Sequence, residues 1–569
     1  MQQIIECVPN YSEGRDRAVI DDIVSAIASV KGVKVLNVDP GEATNRTVVT
    51  FVGAPEAVTE AAFRGAAKAK ERIDMRVHHG AHPRSGATDV LPLIPISGIT
   101  LEECAELARK LAKRLFDELG IPCYCYEAAA FKPERKNLAV CRAGEYEALP
   151  DKMADPERKP DFGDGYNDTV ARTGATNVGA RNFLVAVNYN LNTTSTRRAM
   201  AIAFDVREKG RKAREGGSLT GKLLKDADGN QIWIPGTLKG CKAIGWYIDE
   251  YGIAQVSMNI TDIDATPLHV AFEEVSRAAA ARGLRVTGAE IVGLVPKKVL
   301  LDAGKFYLER QQRSLGISEE EIIKIAVKSM SLDDLKPFEP KEKVIEYLME
   351  DPEEQAKKER LVRMNLKEFA AETASESPAP GGGSISAYMG ALGAALATMV
   401  ANLSSHKRGW DDRWKEFSDV AEKGQALIKE LIALVDEDTA AFNRIMDVFA
   451  MPKGTPEEKA ARDKAMEEAT LYAASVPLKT MEASLKALPL ALEMAEKGNP
   501  ASASDAGVAA LAAVAGIRGA ALNVRINSAG LTDKAPAQPL LKRAEEIIAE
   551  ALKLQEKVLV AVDKHIDNE

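Results

Sequence analysis

The hydrophobic pattern of this 569-residue chain changes character once, near residue 364. Upstream of that point, short runs rich in β-branched residues alternate with stretches of helical period. Downstream, residues 364–569 contain no cysteine and few β-branched runs, and their Ala, Leu, Glu and Lys residues recur at helical spacing. Because a period of 2 indicates strands and a period of 3.6 indicates helices, we predict an α+β half followed by an all-α helical bundle.

The first half repeats one order of predicted elements. Strand candidates and helices follow the order βαββαβ, which is typical of ferredoxin-like domains, in "QIIECV", "VKVLNVD", "RTVVTFVG" and "DVLPLIPI". The order returns in "NFLVAVNYN", "AIGWYID", "IAQVSMNI" and "LRVTGAEIVGL". We therefore expect a cleft where two tandem subdomains meet. The predicted domains are a first subdomain at 1–181, a second at 182–336, a charged linker at 337–363 and a helical domain at 364–569.

Charge and composition exclude several classes of protein. The net charge of −9, without any Lys/Arg-rich run, argues against a nucleic-acid surface. The start "MQQIIECVPNYSEGRD" lacks the features of a signal peptide, so we expect a cytoplasmic protein with reduced cysteines. The uncharged stretch 377–403 is rich in Gly and Ala, and we interpret it as a buried helix rather than a membrane span.

The loop "HHGAHPRSGATDV", residues 78–90, holds three of the six histidines. Helical spacing would align His78 with His82 for a metal, but Gly80 and Pro83 oppose a helix, and no cysteine or carboxylate lies at usual ligand spacing nearby. We therefore predict no metal site. A histidine in a glycine-containing loop suits acid–base chemistry near neutral pH, and a turn without chemistry is the alternative.

Several long motifs in the first half resemble the glutamate formimidoyltransferase family. They are "CVPNYSEGRD", "NVDPGEATNRTVVTFVG", "HHGAHPRSGATDVLPLIPISG" and "GARNFLVAVNYNL", and "EIVGLVPKKVLLDA" extends the match to about residue 336. The resemblance implies transfer of the formimidoyl group from N-formimidoyl-L-glutamate to N5 of tetrahydrofolate, with His82 as the catalytic residue. One imidazole with an ordinary pKa of about 6.5 can take the proton from N5 and return it to the departing nitrogen.

Two further segments of this half are candidates for substrate binding. In the turn "DPGEATNR", Asp39, Asn45 and Arg46 are expected to orient His82 or hold substrate carboxylates, with ordinary turn chemistry as the alternative. Residues 210–240 look like an insertion relative to the family. The family's folate-contacting stretch maps onto "GDGYNDTVARTG", which gives the candidates Gly163, Asp164, Gly165, Tyr166, Arg172, Thr173 and Gly174.

The second half resembles formimidoyltetrahydrofolate cyclodeaminase in "SPAPGGGSISAYMGALGAALATMVANL", "LVDEDTAAFNRIM", "GNPASASDAG" and "NVRIN". Over its length the chain thus resembles the bifunctional formimidoyltransferase-cyclodeaminase family. The second reaction implied is closure of 5-formimidoyl-tetrahydrofolate to 5,10-methenyl-tetrahydrofolate with release of ammonia.

Asp438 falls on the apolar face of the helix predicted around "LIKELIALVDEDTAAFNRIMDVF". A carboxylate on a buried face costs free energy unless it is paired or used in chemistry. The resemblance assigns the cyclodeaminase acid–base role to this position. A structural aspartate that caps another helix is the alternative. The apolar face consists of Ile428, Leu431, Val435, Phe442, Ile445 and Phe449.

Other residues of the second half are candidates for the same pocket. "PGGGS" precedes a helix whose first N–H groups could face a ligand, although a tight turn is an equal interpretation. For Asp505 and Arg525 the alternatives are a helix cap and a solvated face. The pocket candidates are Gly381, Gly382, Gly383, Ser384, Asp505 and Arg525.

The resemblance also implies partners. It implies a homo-oligomer built from dimers and tetrahydrofolate as co-substrate, whose polyglutamate tail would tether the intermediate between the two sites. Two other functions remain open at this stage. One is a folate-binding scaffold without activity, and the other is an enzyme acting on 5-formyl-tetrahydrofolate, since formyl and formimidoyl groups differ only by O in place of NH.

Overall fold

The computed structural model describes residues 3–42, 45–80, 84–217, 221–249, 251–350 and 352–567. His82 lies outside these residues. The chain forms two compact units. Unit 1 comprises Met1–Val299 and Met330–Met349, and unit 2 comprises Leu300–Ser329 and Glu350–Glu569.

The first sheet of unit 1 contains the predicted ferredoxin-like arrangement. Its antiparallel order is β3-β4-β1-β5, and the short β2 continues β1 between β4 and β5. Two parallel strands extend the sheet beyond β5, in the order β5-β7-β6. The strands are β1 (Ile4–Cys7), β2 (Asn10–Tyr11), β3 (Val33–Gly41), β4 (Arg46–Gly53), β5 (Thr88–Ser97), β6 (Cys123–Glu127) and β7 (Thr176–Ala180).

Three helices cover one face of this sheet, and local sequence explains their limits. Asp16 accepts the N–H groups of Ala18 and Val19 at the start of the first helix. The third helix begins with a capping box between Thr100 and Glu103 and ends at a left-handed glycine. Their apolar faces bury isoleucine, valine, leucine and alanine against the sheet. The helices are α1 (Arg17–Ala28), α2 (Pro55–Arg72) and α3 (Leu101–Leu119).

The second sheet repeats the arrangement with four antiparallel strands in the order β11-β12-β8-β13. Both predicted βαββαβ repeats are therefore confirmed. The predicted insertion at 210–240 contains a small antiparallel pair, β9 with β10. The remaining elements of this part are α4 (Leu138–Arg142), α5 (Leu149–Ala154), α6 (Asp168–Thr173), β8 (Val185–Leu191), α7 (Thr196–Val206), β9 (Arg211–Lys212), β10 (Trp233–Ile234), β11 (Cys241–Ile248), β12 (Ile253–Ile260), α8 (Leu268–Ala280) and β13 (Val286–Val292).

The described residues of 364–569, which belong to unit 2, form helices and no strand, as predicted. Its five long helices are packed through small residues, so that a side chain at Gly393 would lie 2.8 Å from the carbonyl oxygen of Ala509. The helices after β13 are α9 (Lys297–Arg310), α10 (Glu319–Ser329), α11 (Pro340–Lys343), α12 (Ile345–Met349), α13 (Pro352–Lys358), α14 (Leu366–Thr373), α15 (Gly382–Ser405), α16 (Trp414–Phe449), α17 (Pro456–Lys497), α18 (Ala503–Gly530) and α19 (Gln538–Ile566).

The division into units does not follow the predicted boundary at residue 336. Residues 300–329 belong to unit 2, where the Leu315 N–H donates to Ser418 Oγ at 3.0 Å and Asn402 Nδ2 donates to the Gly316 carbonyl at 2.8 Å. The stretch predicted as a charged linker, 337–363, contains the short helices α11 to α13. Pairing of these distant segments is a tertiary property, which local composition does not reveal.

Two helical segments, Gly382–Ser405 and Pro500–Gly530, are long and apolar enough to span a membrane. More than half of the most apolar window of each is buried inside the protein. Core helices of soluble bundles pass the same test of length and hydropathy, so these helices are weak evidence for a membrane span.

Candidate active sites

Asn45 anchors the histidine loop. Its side-chain nitrogen donates to the His79 carbonyl at 2.9 Å, and its side-chain oxygen accepts the Gly14 N–H at 3.0 Å. Asn45 adopts a φ of 48°, a left-handed conformation that asparagine tolerates. The structure thus brings Asn45 to the loop that carries His82. That Asn45 orients the His82 side chain remains a prediction.

His78 is a buried structural residue of the same loop. Its Nε2 lies 2.9 Å from the Asn45 carbonyl oxygen, and because a carbonyl only accepts, this nitrogen carries the proton. Burial lowers the pKa of His78. A buried imidazole held in this way supports the conformation of the loop.

Arg84 holds the C-terminal part of the loop in place through contacts that the sequence did not suggest. Its guanidinium pairs with Glu147 at 2.7 Å and Glu145 at 3.4 Å, and it donates to the His78 carbonyl at 3.3 Å. The segment that contains Glu145 and Glu147 therefore contacts the histidine loop directly.

A second charged group lies where β5 begins. The buried Asp89 accepts the Ser85 N–H at 2.9 Å and pairs with Arg142. Burial raises the pKa of Asp89, and Arg142 opposes that rise. Arg46 donates to Asn10 Oδ1, and burial lowers the pKa of Arg46 while the charge of Asp89 raises it.

The structure places the predicted turn residues differently from one another. Asp39 lies on β3, opposite Val48 of β4, and is exposed, yet its charge acts on Arg46 and raises the Arg46 pKa. Arg46 lies at the start of β4, next to Asn45. Asp39 therefore acts on Arg46, whereas Asn45 contacts the histidine loop itself.

The C-terminal half of the predicted folate stretch contacts the histidine loop. The Thr173 carbonyl accepts the Ala87 N–H at 2.7 Å, and the Ala175 N–H donates to the Ser85 carbonyl at 2.9 Å. Gly174 has a φ of 66° and packs so closely on Ser85 that no side chain fits there. Thr173 and Gly174 are thus brought to the predicted catalytic loop.

The N-terminal half of that stretch lies elsewhere. Asp164 and Gly165 line a cavity of about 390 Å³ at the C-terminal end of α3, together with Asn167 and Thr169. The Arg172 side chain donates to the Glu71 carbonyl at 2.8 Å. Tyr166 is 43% exposed, and Gly163 packs on prolines. The six-residue helix α6, roughly 9 Å long, connects the two ends of the stretch and contains Arg172 and Thr173.

The second subdomain holds a larger cavity that sequence reasoning missed. It measures about 580 Å³, and Lys242 faces Asn259 across its floor because β11 and β12 pair in that register. Lys242 also lowers the pKa of Glu127, which burial raises. The other charged residues that line this cavity are Arg207, Glu208 and Lys209.

Glu6 is a carboxylate buried on β1 beside Arg181. Burial raises its pKa to about 7, and the charge of Arg181 opposes that rise. The folded protein therefore holds a proton between pH 4.5 and about 7 that the unfolded chain releases, so stability falls as pH rises through this window. We expect Glu6→Gln to be more stable than the wild type by about 3 kcal/mol above pH 7 and to show little difference below pH 4.5.

Urea unfolding of both proteins at pH 5 and pH 8 would test this expectation. Glu106→Gln on the exposed face of α3 is the matched control and should follow the wild type at both pH values. Equal midpoints for Glu6→Gln and the wild type at pH 8 would contradict it.

In unit 2, the carboxylate of Asp438 lies at the first turn of α15. Ser384 Oγ donates to Asp438 Oδ2 at 3.2 Å and lies 2.8 Å from the Val435 carbonyl. Gly383 contacts the carboxylate so closely that no side chain fits between them. The positive end of a helix dipole favours an anion at this place.

The pKa of Asp438 is raised by burial, and the hydrogen bonds from Ser384 oppose that rise. This environment suits a carboxylate that exchanges protons, because its pKa moves toward neutral pH. The same contact with α15 would also be present if Asp438 had only a structural role, as a cap on that helix. The acid–base role of Asp438 therefore remains a prediction that an experiment must separate from capping.

We expect Gly383→Ala to lose ammonia release and to be destabilised by about 1–3 kcal/mol, because the methyl group would displace the Asp438 carboxylate from α15. Ammonia release and the thermal midpoint measure the two effects. Gly507→Ala is the control, since a methyl group there lies 3.4 Å from Val562, an ordinary contact. Normal ammonia release by Gly383→Ala would show that this contact is unimportant.

The predicted apolar face around Asp438 is only partly a core. Leu431 and Val435 are buried, whereas Phe442 is 39% and Phe449 57% exposed. The face is therefore buried only before Asp438, and its aromatic part lies on the surface. Sequence period alone does not distinguish these two situations.

A polar group beside Asp438 was not predicted. Glu437 accepts Tyr472 Oη and Lys479 Nζ, both at 2.9 Å, and the Arg444 guanidinium lies 4.1 Å from the centre of the Tyr472 ring. Lys479 and Arg444 therefore act on Glu437, the sequence neighbour of Asp438, and lower its pKa against the effect of burial.

The structure does not bring all the pocket candidates together. Asn523 of α18 lies near Gly382, and Arg525, two residues further, is exposed at the same end. Asp505 lies in the first turn of α18, roughly 27 Å from Asn523 at 1.5 Å per residue. Asp505 is therefore separated from Asp438 within one chain, and its place in the same pocket remains a prediction. The N-cap residue Ser502 makes no side-chain capping bond.

Within the part of the chain that the structure describes, no three His, Cys, Asp or Glu side chains are grouped to hold a metal ion. The six cysteines are free and buried. Burial raises the pKa of Cys104 and Cys125 to about 12, so their thiols stay protonated and make poor ligands.

Three family models match the chain. The model described as "Formiminotransferase domain, N-terminal subdomain" matches residues 4–181, and the one described as "Formiminotransferase domain" matches residues 186–350. The model described as "Formiminotransferase-cyclodeaminase" matches residues 365–546. Together they span most of both units.

Relatives repeat this division. The chain is 42% identical over 551 residues to the formimidoyltransferase-cyclodeaminase of Rattus norvegicus, a match that covers 97% of each chain. It is 41% identical over 309 residues to the glutamate formimidoyltransferase of Streptococcus pyogenes serotype M1, covering 54% of this chain and 94% of that one. It is also 41% identical over 202 residues to the methenyltetrahydrofolate cyclohydrolase of Methylorubrum extorquens, covering 36% of this chain and 97% of the other.

Proposed function

The chain belongs to the formimidoyltransferase-cyclodeaminase family, and from that premise we propose how its two units divide two consecutive reactions. It is a bifunctional folate enzyme of histidine breakdown. It transfers the formimidoyl group from formimidoylglutamate to N5 of tetrahydrofolate and then closes the product to 5,10-methenyl-tetrahydrofolate with release of ammonia. The observation that carries this conclusion is 42% identity over 97% of a relative named for both activities.

His82 is proposed to move the proton in the transfer. N5 of tetrahydrofolate forms a bond to the formimidoyl carbon, and the bond from that carbon to the glutamate nitrogen breaks. The imidazole accepts the proton that N5 loses and gives it to the departing nitrogen. The anchoring of both flanks of this loop by Asn45 and Arg84 supports the role, because acid–base catalysis needs a fixed geometry.

Tetrahydrofolate is proposed to bind against the end of the 163–174 stretch that contacts the histidine loop. Thr173 and Gly174 lie at that end, where the Thr173 carbonyl accepts the Ala87 N–H of the loop. The cationic cavity with Lys242 and Arg207 suits the carboxylates of a polyglutamate tail. A tail held in this way would raise the local concentration of the intermediate for the second reaction.

Asp438 is proposed to be the acid–base of the second reaction. N10 attacks the formimidoyl carbon and gives its proton to the carboxylate, which returns a proton to the nitrogen that leaves as ammonia. The raised pKa of Asp438 and its contact with Ser384 support this assignment.

One relative favours a second candidate activity for the helical region. The match to a methenyltetrahydrofolate cyclohydrolase covers 97% of that protein at 41% identity. Asp438 could accept a proton from a water molecule that attacks the methenyl carbon and opens the ring to 10-formyl-tetrahydrofolate. Loss of methenyl absorbance in the full-length wild type, but not in Asp438→Asn, would establish this activity.

The experiment that tests the main function mixes the purified protein with tetrahydrofolate and formimidoylglutamate. Methenyl-tetrahydrofolate and ammonia are then followed together, and 5-formyl-tetrahydrofolate is supplied in a separate reaction. Equal amounts of both products from formimidoylglutamate support the proposal. Folate binding without turnover would support a scaffold, and turnover of the formyl compound alone would support the formyl-specific enzyme.

We also propose a homo-oligomer in which a second copy covers an apolar stripe of α18. Leu522 is 63% and Ile526 70% exposed, and Val508 and Leu511 continue the stripe along the same helix. Light scattering of the wild type and of Leu522→Glu would test this contact. We expect a lower molar mass in solution for the variant, because the charged side chain would disrupt the interface. The six buried thiols fit a reducing compartment, and we propose a cytoplasmic location.

A further inference from the structure

Four buried polar atoms around Asp89 make no hydrogen bond to any residue that the structure describes. They are Arg142 Nε, Asn177 Oδ1, Ser85 Oγ and Thr88 Oγ1. Asn177 is fully buried, and its amide nitrogen donates to the Asp89 carbonyl at 2.9 Å. Buried polar groups are normally paired, so a group of them around one carboxylate indicates a place for a polar ligand.

The charges at this place are unequal. Two guanidinium groups, Arg46 and Arg142, act on the single buried carboxylate of Asp89. A second carboxylate, Asp39, acts on Arg46 but is exposed to solvent. Because a partly buried excess of positive charge is costly, an anionic ligand would stabilise this group.

The group contacts described residues of the histidine loop both before and after residues 81–83. Ser85, which donates its N–H to Asp89, follows His82 by three residues. Asn45, the neighbour of Arg46, holds the His79 carbonyl. A ligand bound by Arg46 and Arg142 would therefore lie beside the loop that carries out the transfer.

Arg142 has more N–H donors than its contact with Asp89 uses. A guanidinium carries five N–H groups, and the contact with Asp89 occupies its Nη2 end. Its Nε–H has no acceptor among the residues described. The free edge of such a planar group matches the two oxygens of a carboxylate.

We propose that Arg142, together with Arg46, binds a carboxylate of the glutamate moiety of the formimidoyl donor. Asp89 is then a positioning residue that fixes the orientation of the Arg142 guanidinium. This subsite rests on the proposed transferase function. It explains selection of a donor with a glutamate moiety, because a donor with an amide in place of that carboxylate would leave the guanidinium unpaired.

The test compares formimidoyl-L-glutamate with its α-monoamide and its γ-monoamide in the full-length protein. In the wild type, one monoamide should lower kcat/KM about 10- to 100-fold, the effect of losing a charged hydrogen bond. Arg142→Gln should lose about the same factor with the natural donor and should no longer discriminate against that monoamide. Its KM for tetrahydrofolate should stay within about twofold of the wild-type value.

Arg135→Gln is the matched control, because Arg135 forms a buried pair with Asp161 at 2.5 Å in the segment that leads into α4. It should keep the wild-type discrimination even if its stability falls. Arg142→Lys replaces Arg142→Gln if the latter does not fold. Unchanged discrimination in the Arg142 variant, or a higher KM for tetrahydrofolate alone, would overturn the subsite.

A binding measurement separates failure of the subsite from failure of the proposed function. Titration calorimetry of L-glutamate, L-glutamine and L-isoglutamine needs no turnover. Weaker glutamate binding by Arg142→Gln supports the subsite even if the wild type shows no transferase activity, an outcome that would refute only the proposed function. Equal glutamate affinity in the variant and the wild type would refute the subsite.

Discussion

Replacing Asp438 with asparagine should reduce ammonia release by a factor of about 10²–10⁴ while formimidoyl transfer continues. Asparagine has the shape of aspartate and still accepts the Ser384 hydroxyl, but it does not take a proton from N10. The expected product is therefore 5-formimidoyl-tetrahydrofolate, which accumulates without ammonia. In the wild type, ammonia release should decline as pH falls through the pKa of Asp438, which burial raises, because only the ionised carboxylate accepts the proton.

The matched control for this variant is Asp436→Asn, two residues away on α16. Asp436 accepts the N–H groups of Leu361 at 2.9 Å and Val362 at 3.2 Å, which is a purely structural role. Its replacement should lower stability and leave ammonia release unchanged. If Asp438→Asn instead lowers the melting temperature and retains ammonia release, Asp438 is a cap for α15 and another group is the acid–base.

The second large effect concerns His82. His82→Ala should reduce formimidoyl transfer by about 10²–10⁴-fold, because neither N5 nor the leaving nitrogen would then exchange its proton with an imidazole. Cyclisation of 5-formimidoyl-tetrahydrofolate supplied directly should continue at the wild-type rate. A spectrophotometric assay of each half-reaction with its own substrate measures both expectations.

His79→Ala serves as the control for the loop. His79 is exposed, and the contact that it makes with Asn45 uses the backbone carbonyl, which the substitution keeps. This variant should transfer the formimidoyl group normally. Equal losses in His79→Ala and His82→Ala would mean that the loop needs its conformation rather than one particular imidazole.

The sequence predicted the fold well where local pattern determines it. The two βαββαβ repeats alternate β-branched strands with amphipathic helices, and both sheets have the expected strand order. The parallel strands β6 and β7 were harder to predict, since β7 pairs with β5 across 87 positions (Val90 with Asn177) and β6 pairs with β7 across 53 positions (Cys123 with Thr176). For the same reason, the packing of residues 300–329 with the helical unit was not predicted.

The site residues, too, could be predicted where a local sequence pattern marks them and not where distant segments meet. Asp438 was found because one polar position interrupts an apolar stripe, whereas the exposure of Phe442 and Phe449 depends on which helices are neighbours. Asp505 was proposed from its motif alone, and helix length separates it from Asn523. The Asp89–Arg142 pair was missed because it joins residues 53 positions apart and neither carries a local signal.

The measurement that most directly tests the two-site account mixes His82→Ala with Asp438→Asn in one reaction containing tetrahydrofolate and formimidoylglutamate. Each variant alone should release almost no ammonia from these substrates. The mixture should release ammonia after a lag, because Asp438→Asn supplies 5-formimidoyl-tetrahydrofolate and His82→Ala consumes it. Absence of ammonia from the mixture, with both variants folded, would contradict the assignment of the two reactions to independent residues in the two units.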